Sequence, residues 1–226
     1  MDDGGICSTD DNLVAIWNLL CESPKLGLEL NPAKCEWSWL DPQCTKPCPI
    51  VVPGGRDKQI ALVPTDEIQM LGVPLGSDAK AATYVEKKLL NRLSVMVNRL
   101  ADFDDIQSAF FLLRTSFSIV RATHFMRTTP LKKWFEQAEK FDKHMWDAAQ
   151  NILGFPISEW SWKQACLTPR LGGIGLRRIV DHAEIAFAAS WWEVETVSER
   201  YGLSDRIPKM PPLLNKEDRL RRIKKF

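Results

Sequence analysis

The feature that most constrains this chain is a change of hydrophobic period at Asp78. From there onward apolar residues recur every three or four positions, the spacing of a buried face on an α-helix. Val85, Leu89, Leu93, Met96, Val97 and Leu100 form one such stripe, with Lys87, Lys88, Arg92 and Arg99 lying off it. A second stripe, Ile106, Phe110, Leu113, Phe117 and Val120, follows the acidic start signal "DFDD". Pro130 suits the first turn of a third helix. That helix would bury Leu131, Trp134, Phe135, Ala138, Phe141, Met145 and Ala149, and Gly154 and Pro156 would stop it. A fourth helix is expected from about Ile179 to Glu199. Short connections favour antiparallel packing in a bundle. The faces do not match one another at a fixed offset, so this is not a repeat array.

The first third reads as mixed α/β. "GGICS" suits a short strand leaving a tight turn, and "STDDN" offers cap residues for a helix through Leu13, Ile16, Trp17 and Leu20, ended by Pro24. "LGLEL" reads as a strand and "NP" as a turn. "PIVVPGGRDKQIALVP" reads as a β-hairpin with "PGG" at its tip, and "IQMLGVPLG" as another short extended piece, broken by Pro74. At the other end, "KMPPLLNKEDRLRRIKKF" changes composition again. Eight basic residues between Arg206 and Lys225 suit either a basic helix that meets phosphates or a solvated helix end.

Composition narrows the function classes. The formal charge of the 226-residue chain is +1, so no global field draws it to nucleic acid or to a membrane surface, and any such role must come from local patches. No apolar run approaches bilayer length, so no membrane partner is expected. The acidic start lacks an apolar leader, which favours an intracellular setting, nuclear or cytoplasmic, with the six cysteines reduced. Cys44 and Cys48 are spaced C-x3-C with Cys35 upstream. There is no second pair, and His124, His144 and His182 fall in helical patterns, which disfavours zinc.

Four segments line up in order: "MDD" at the start, "LGLELNPAKCEW", "IQMLGVPLG", and then the helical region. This order resembles the second half of a reverse transcriptase palm running into its thumb, and more narrowly the reverse transcriptases of non-LTR (LINE-like) retroelements. "LLRTSFSIVRATHFMRTTP", "FDKHMWDAAQNILG" and "CLTPRLGGIGLRR" resemble the sequence that follows the palm in such proteins. The resemblance covers most of Met1 to about Trp192.

The resemblance implies an α+β fold: an incomplete β/α palm remnant at 1–77, a helical thumb with its extension at 78–204, and a basic tail at 205–226. It places Asp2 and Asp3 as the carboxylates that hold Mg2+ for two-metal nucleotidyl transfer, hard oxygen ligands for a hard cation. Lys34 takes the position of a lysine proposed to protonate the departing pyrophosphate; read without the family, it is a surface lysine after a turn. Leu71 and Gly72 fall at the centre of a primer-grip-like hairpin; otherwise Leu71 is an apolar strand residue. Lys87, Lys88, Arg92 and Arg99 become candidates for phosphate contact on a thumb helix, or remain a solvated face. "PRLGGIGLRR" lacks the ending of a P-loop and reads as a structural bend.

The implied partners are an RNA template and a DNA primer. Fingers and a first palm half, with a further metal-binding carboxylate, would precede Asp2 in the intact enzyme. The chain alone is therefore expected to be a fragment of an RNA-directed DNA polymerase, inactive by itself. Two other readings stay open: a helical nucleic-acid or protein interaction module, and a non-functional retroelement remnant.

Overall fold

The computed structural model describes residues 5–22, 24, 31–41, 43–44, 46–50, 52 and 60–206. They divide into two compact units, one within Met1–Lys80 and the other within Ala81–Phe226. Helices dominate and the strands are few and short, an α+β layout.

In the first unit, helix α1 spans Asp10–Cys21. Asp10 and Asp11 in its first turn complement the positive end of the helix dipole. Trp17 is the residue it buries. The segment "GGICS" forms no strand over its described residues 5–8, and "LGLEL" lies outside the described residues. Strand β1 (Glu36–Trp37) pairs in parallel with β2 (Ala61–Leu62). The expected hairpin of Pro49–Pro64 is corrected by this pairing, because the partner of Ala61–Leu62 is a strand some 25 residues earlier rather than Ile50–Val52; its "PGG" tip lies outside the described residues. β3 (Gln69–Met70) and β4 (Val73–Pro74) form an antiparallel pair, with Met70 opposite Val73. Trp17, Ile60 and Pro74 are the buried side chains among this unit's described residues.

The second unit carries the larger core. One continuous helical rod runs from Asp78 to Asp102: α2 (Asp78–Val85), a π-helical turn (Glu86–Leu90), α3 (Asn91–Asn98) and a closing 3-10 turn. A π turn accommodates one residue more than an α-helix would. Val85 and Leu93, eight apart, are both fully buried, and Leu89 and Leu90 are buried side by side. An unbroken α-helix would turn positions eight apart about 80° away from each other. Leu90 is thus a core residue that the regular stripe does not contain.

α4 (Ile106–Leu112) is capped by Asp105, whose carboxylate accepts from the N–H groups of Gln107 and Ser108, both at 3.1 Å. The Ser108 hydroxyl, which donates to the same carboxylate, and then these two N–H groups hold that carboxyl below its ordinary pKa. A second π turn, Leu113–Phe117, ends at Ser118, where the chain leaves helical geometry (ψ −149°). This break resets the phase. Beyond it Ala122 is buried and Val120 of the expected stripe is exposed; ahead of it Leu113 is buried and Ile106, in the first turn of α4, is exposed.

After α5 (Thr123–Thr128), Leu131–Trp134 form a 3-10 turn, with Pro130 standing just before it. Trp134 then breaks the helical path (φ −144°, ψ 30°) ahead of α6 (Phe135–Leu153). Phe135 therefore points outward, contrary to expectation, whereas Leu131, Trp134, Ala138, Phe141, Met145 and Ala149 are buried. Gly154 ends α6.

A short helix absent from the sequence reading follows, α7 (Glu159–Ala165), capped by the Ser158 hydroxyl on Ser161 N–H. α8 spans Ile179–Arg200. It packs along α5 and α6, and α6 also meets α3 and α4. Trp146 and Trp162 stack with ring centroids 6.0 Å apart, fixing α7 against α6.

Trp134 is fully buried, its ring 6.4 Å from that of Phe125, and its Nε1 donates to Thr129 O at 3.1 Å. Trp134→Ala is expected to lower the unfolding free energy by about 3–5 kcal/mol, since a large cavity and an unpaired carbonyl remain. Urea denaturation followed by far-UV circular dichroism measures this.

Candidate nucleic-acid interface

Between Lys87 and Ala101 the rod carries four cations and no acid. All four, Lys87, Lys88, Arg92 and Arg99, are exposed, and none makes an ion pair among the described residues. Two acids flank this stretch of the rod: Glu86 lies 3.5 Å from Lys140 Nζ on α6 and accepts from Gln137 Nε2, and Asp102, three residues after Arg99, is exposed. Lys88 Nζ sits 5.7 Å above the Tyr84 ring, a contact that aligns the stem without neutralising the charge. Arg92 in α3 and Arg99 at the start of the closing 3-10 turn, seven residues apart, share one face of the rod, about 10 Å apart along its axis. A chain of formal charge +1 thus presents a local positive strip of the kind that meets a phosphate backbone.

The β3–β4 hairpin closes through a two-residue turn, Leu71 and Gly72. Both have positive φ (50° and 76°), as a type I′ turn requires. Glycine adopts this at no steric cost, but leucine does not. Leu71 is also 52% exposed, so burial does not compensate the strain. The strain is therefore carried by an exposed residue at a hairpin tip.

Lys34 ends a 3-10 turn, Pro32–Lys34, capped by the Asn31 side chain on Ala33 N–H at 3.1 Å. It is exposed. Asp2 and Asp3 lie outside the described residues, as does the basic tail from position 207. Among the described residues no three His, Cys, Asp or Glu side chains converge, so the magnesium assignment rests on the resemblance alone. Cys35, Cys44 and Cys48 are free thiols, each partly buried.

A buried ionisable group went unread in the sequence. Asp142 lies on the inner face of α6, and its carboxylate accepts from Ile179 N–H (2.7 Å) and Val180 N–H (3.2 Å) at the start of α8. Arg178 Nε stands 3.9 Å away and 3.6 Å from Asp181. Burial pushes the Asp142 carboxyl from its ordinary 3.8 up to about 7, against the two N–H donors and Arg178, which hold it down. Burial likewise pushes the nearby Cys166 thiol up to about 12, which leaves it protonated and inert. Every acceptor of Asp142 is directed at a backbone donor of its own fold, so this cluster is a tertiary helix cap rather than a reaction centre. The spacing contains the signal: Ala138, Asp142, Met145 and Ala149 follow one face, which puts a carboxylate in the core.

The loop "PRLGGIGLRR" is structural too. Its Gly173 lies against the carbonyls that end α7: a Cβ there would come within 2.1 Å of Leu167 O. Ile174 N–H and Leu176 N–H both bond to Ala165 O. An open groove of about 310 Å3 lined by Ile106, Gln107, Phe110, Phe111, Arg114 and Leu153 lies beside α4, with only Gln107 and Arg114 as polar groups, too few for a small-molecule active site.

Comparison with protein families, with curated proteins and with solved structures returns no match.

Leu71→Asn, which supplies the turn residue that type I′ geometry favours, is expected to raise stability by roughly 0.5–1 kcal/mol in urea denaturation. At Asp142 the folded state holds its proton more tightly than the unfolded chain. Between about pH 4 and 7 it therefore binds more protons, and stability contributed by this group falls as pH rises through that window. Asp142→Asn is expected to flatten that slope. Asp142→Ala is expected to cost about 2 kcal/mol by leaving the α8 donors unpaired. Denaturation midpoints at a series of pH values check both.

Proposed function

We propose that this chain is part of a reverse transcriptase of the non-LTR kind, and that its helical rod holds the primer–template duplex. The observation that carries the reading is the acid-free strip of exposed cations, Lys87, Lys88, Arg92 and Arg99, on the rod that begins four residues after the Leu71–Gly72 hairpin. The order of sequence motifs supports the same reading: an Asp-Asp pair, a turn ending in Lys34, a tight hairpin with a strained tip, and a helical unit. In the intact enzyme Mg2+ on Asp2 and Asp3 would supply the two-metal chemistry. Lys34 would donate a proton to the leaving group. The cations of this chain bind the sugar–phosphate backbone without reading sequence.

Fluorescence anisotropy with a short RNA–DNA hybrid tests the proposal. Affinity should fall with added salt, with a logarithmic slope of about −3 for three to four phosphate contacts. Arg92→Glu/Arg99→Glu should weaken binding at least tenfold and flatten the slope by about two. Absence of binding at low salt, or binding indifferent to these substitutions, refutes the reading. Primer extension on the same chain separates the roles. Incorporation abolished by Asp2→Ala assigns catalysis to it, and binding without incorporation leaves it the duplex-holding role.

A further inference from the structure

Two acid-free stretches of the chain meet beside α4. No Asp or Glu occurs from Ile106 to Phe135, or from Trp160 to Val180, while both stretches carry Lys and Arg residues throughout. Some of these cations are committed within the fold: Arg127 to Glu193, Lys163 to Glu159, and Arg178 to Asp142 and Asp181. Arg114, Arg170 and Arg177 are not. All three are exposed, and none makes an ion pair among the described residues.

The three are gathered at one place. The Arg114 guanidinium lies against the backbone of Gly175, where a Cβ would stand 3.4 Å from Nε and 3.7 Å from Cζ, and Pro169 Cδ is 3.8 Å from the same point. Arg170 directly follows Pro169, and Arg177 lies just past Gly175, so both leave the loop next to the Arg114 guanidinium. Like charges held together without a counterion repel one another, and an anion bound among them removes that repulsion. The planar fork of arginine matches a phosphate.

The cluster adjoins the groove beside α4, which Arg114 itself lines. The rest of that groove is mostly apolar, and Phe110 and Phe111 line it together, with Phe111 63% exposed. Its few polar groups do not orient a small substrate, but a nucleobase stacks on an aromatic ring through its π face and needs none. The groove is polarised along its length. Asp104 and Asp105 precede its Ile106 end, where Asp105 is engaged by the N–H groups that it caps, and Arg114 stands about two helical turns further on. A chain in which flat apolar rings alternate with phosphates satisfies both halves of this surface, whereas an acidic peptide satisfies only the arginines.

We infer that the Phe110–Phe111 groove and the Arg114–Arg170–Arg177 cluster form a binding site for single-stranded nucleic acid, with a base stacked on Phe111 and the adjoining phosphates on the arginines. The site rests on the duplex-holding reading for its class of ligand and uses none of the rod's residues. It prefers an unpaired strand, because a base inside a duplex has both faces covered by its neighbours.

Fluorescence anisotropy of the full chain with a labelled oligouridylate of about twelve nucleotides tests this. Binding should weaken with salt at a logarithmic slope of about −2, for about three phosphates on a single strand. Phe111→Ala should weaken it about tenfold, with circular dichroism unchanged because the ring is exposed, and should leave affinity for the RNA–DNA hybrid within about twofold. Arg170→Glu/Arg177→Glu, which spares the packing of Arg114 on Gly175, should also weaken it about tenfold. Arg92→Glu/Arg99→Glu should leave single-strand affinity within about threefold. Single-strand binding that persists where hybrid binding fails supports this site and removes the duplex-holding role alone. Hybrid binding without single-strand binding at low salt overturns the inference and spares that role. Single-strand binding indifferent to Phe111→Ala or to the arginine pair overturns it too, as does displacement of the RNA by polyglutamate as readily as by unlabelled RNA, which would make this a surface for acidic protein.

Discussion

The helical unit depends on one carboxylate. Asp142 projects from the inner face of α6 and closes the start of α8, accepting two of the backbone N–H groups that any helix leaves unpaired at its N-terminus. Most helices solve this with a residue of their own chain just upstream, as Asp105 does for α4 and Ser158 for α7. α8 has Arg178 at that position, which cannot accept. The donor–acceptor match therefore runs between two long helices distant in sequence. It fixes where α8 begins as well as where it lies. A long apolar helix could slide along its neighbours with little loss of burial, and a pair of directional bonds at one end forbids that. The arrangement is balanced closely, because the same burial that shapes the bonds also opposes the charge that strengthens them.

Much of the helical region is legible in the sequence. The stripes through Val85, Leu93, Val97 and Leu100, and through Ala138, Phe141, Met145 and Ala149, are the buried faces observed. What was not legible has identifiable causes. Periodicity assumes one turn geometry throughout, so it cannot anticipate the π turn that adds Leu90 to the core, or the breaks at Ser118 and Trp134 that turn Val120 and Phe135 to the surface. α7 is two turns long, too short for a stripe, and is held by the stacking of Trp162 on Trp146 rather than by its own pattern. The parallel pairing of Glu36–Trp37 with Ala61–Leu62 joins distant segments, and no local signal encodes it. Of the candidate site, the exposed cations and the Leu71–Gly72 turn were readable from residue type. The positive φ at Leu71 was not, since leucine is a poor choice for it.

The balance of charge shows why totals mislead. A formal charge of +1 suggests indifference to polyanions, yet the rod from Lys87 to Ala101 bears four positive side chains and no negative one. Of the two acids that flank it on the rod, Glu86 is drawn toward α6 by Lys140 and Gln137, and Asp102 stands exposed beyond Arg99. Local electrostatics within about a Debye length govern an encounter with phosphate, and the chain-wide sum does not.

The π turn at Glu86–Leu90 has a consequence for how the rod tolerates changes of length. It houses one surplus residue, and that surplus is what brings Val85 and Leu93 to the same side. Removing a single residue inside the wide turn would relax it to ordinary α-helix, with both flanking segments still seated on their neighbours. The same deletion anywhere else along α2 or α3 would rotate everything beyond it by about 100°, carrying leucines into water and arginines into the core. The wide turn is thus a reserve of length, confined to five positions, in a rod that is otherwise intolerant of insertions and deletions.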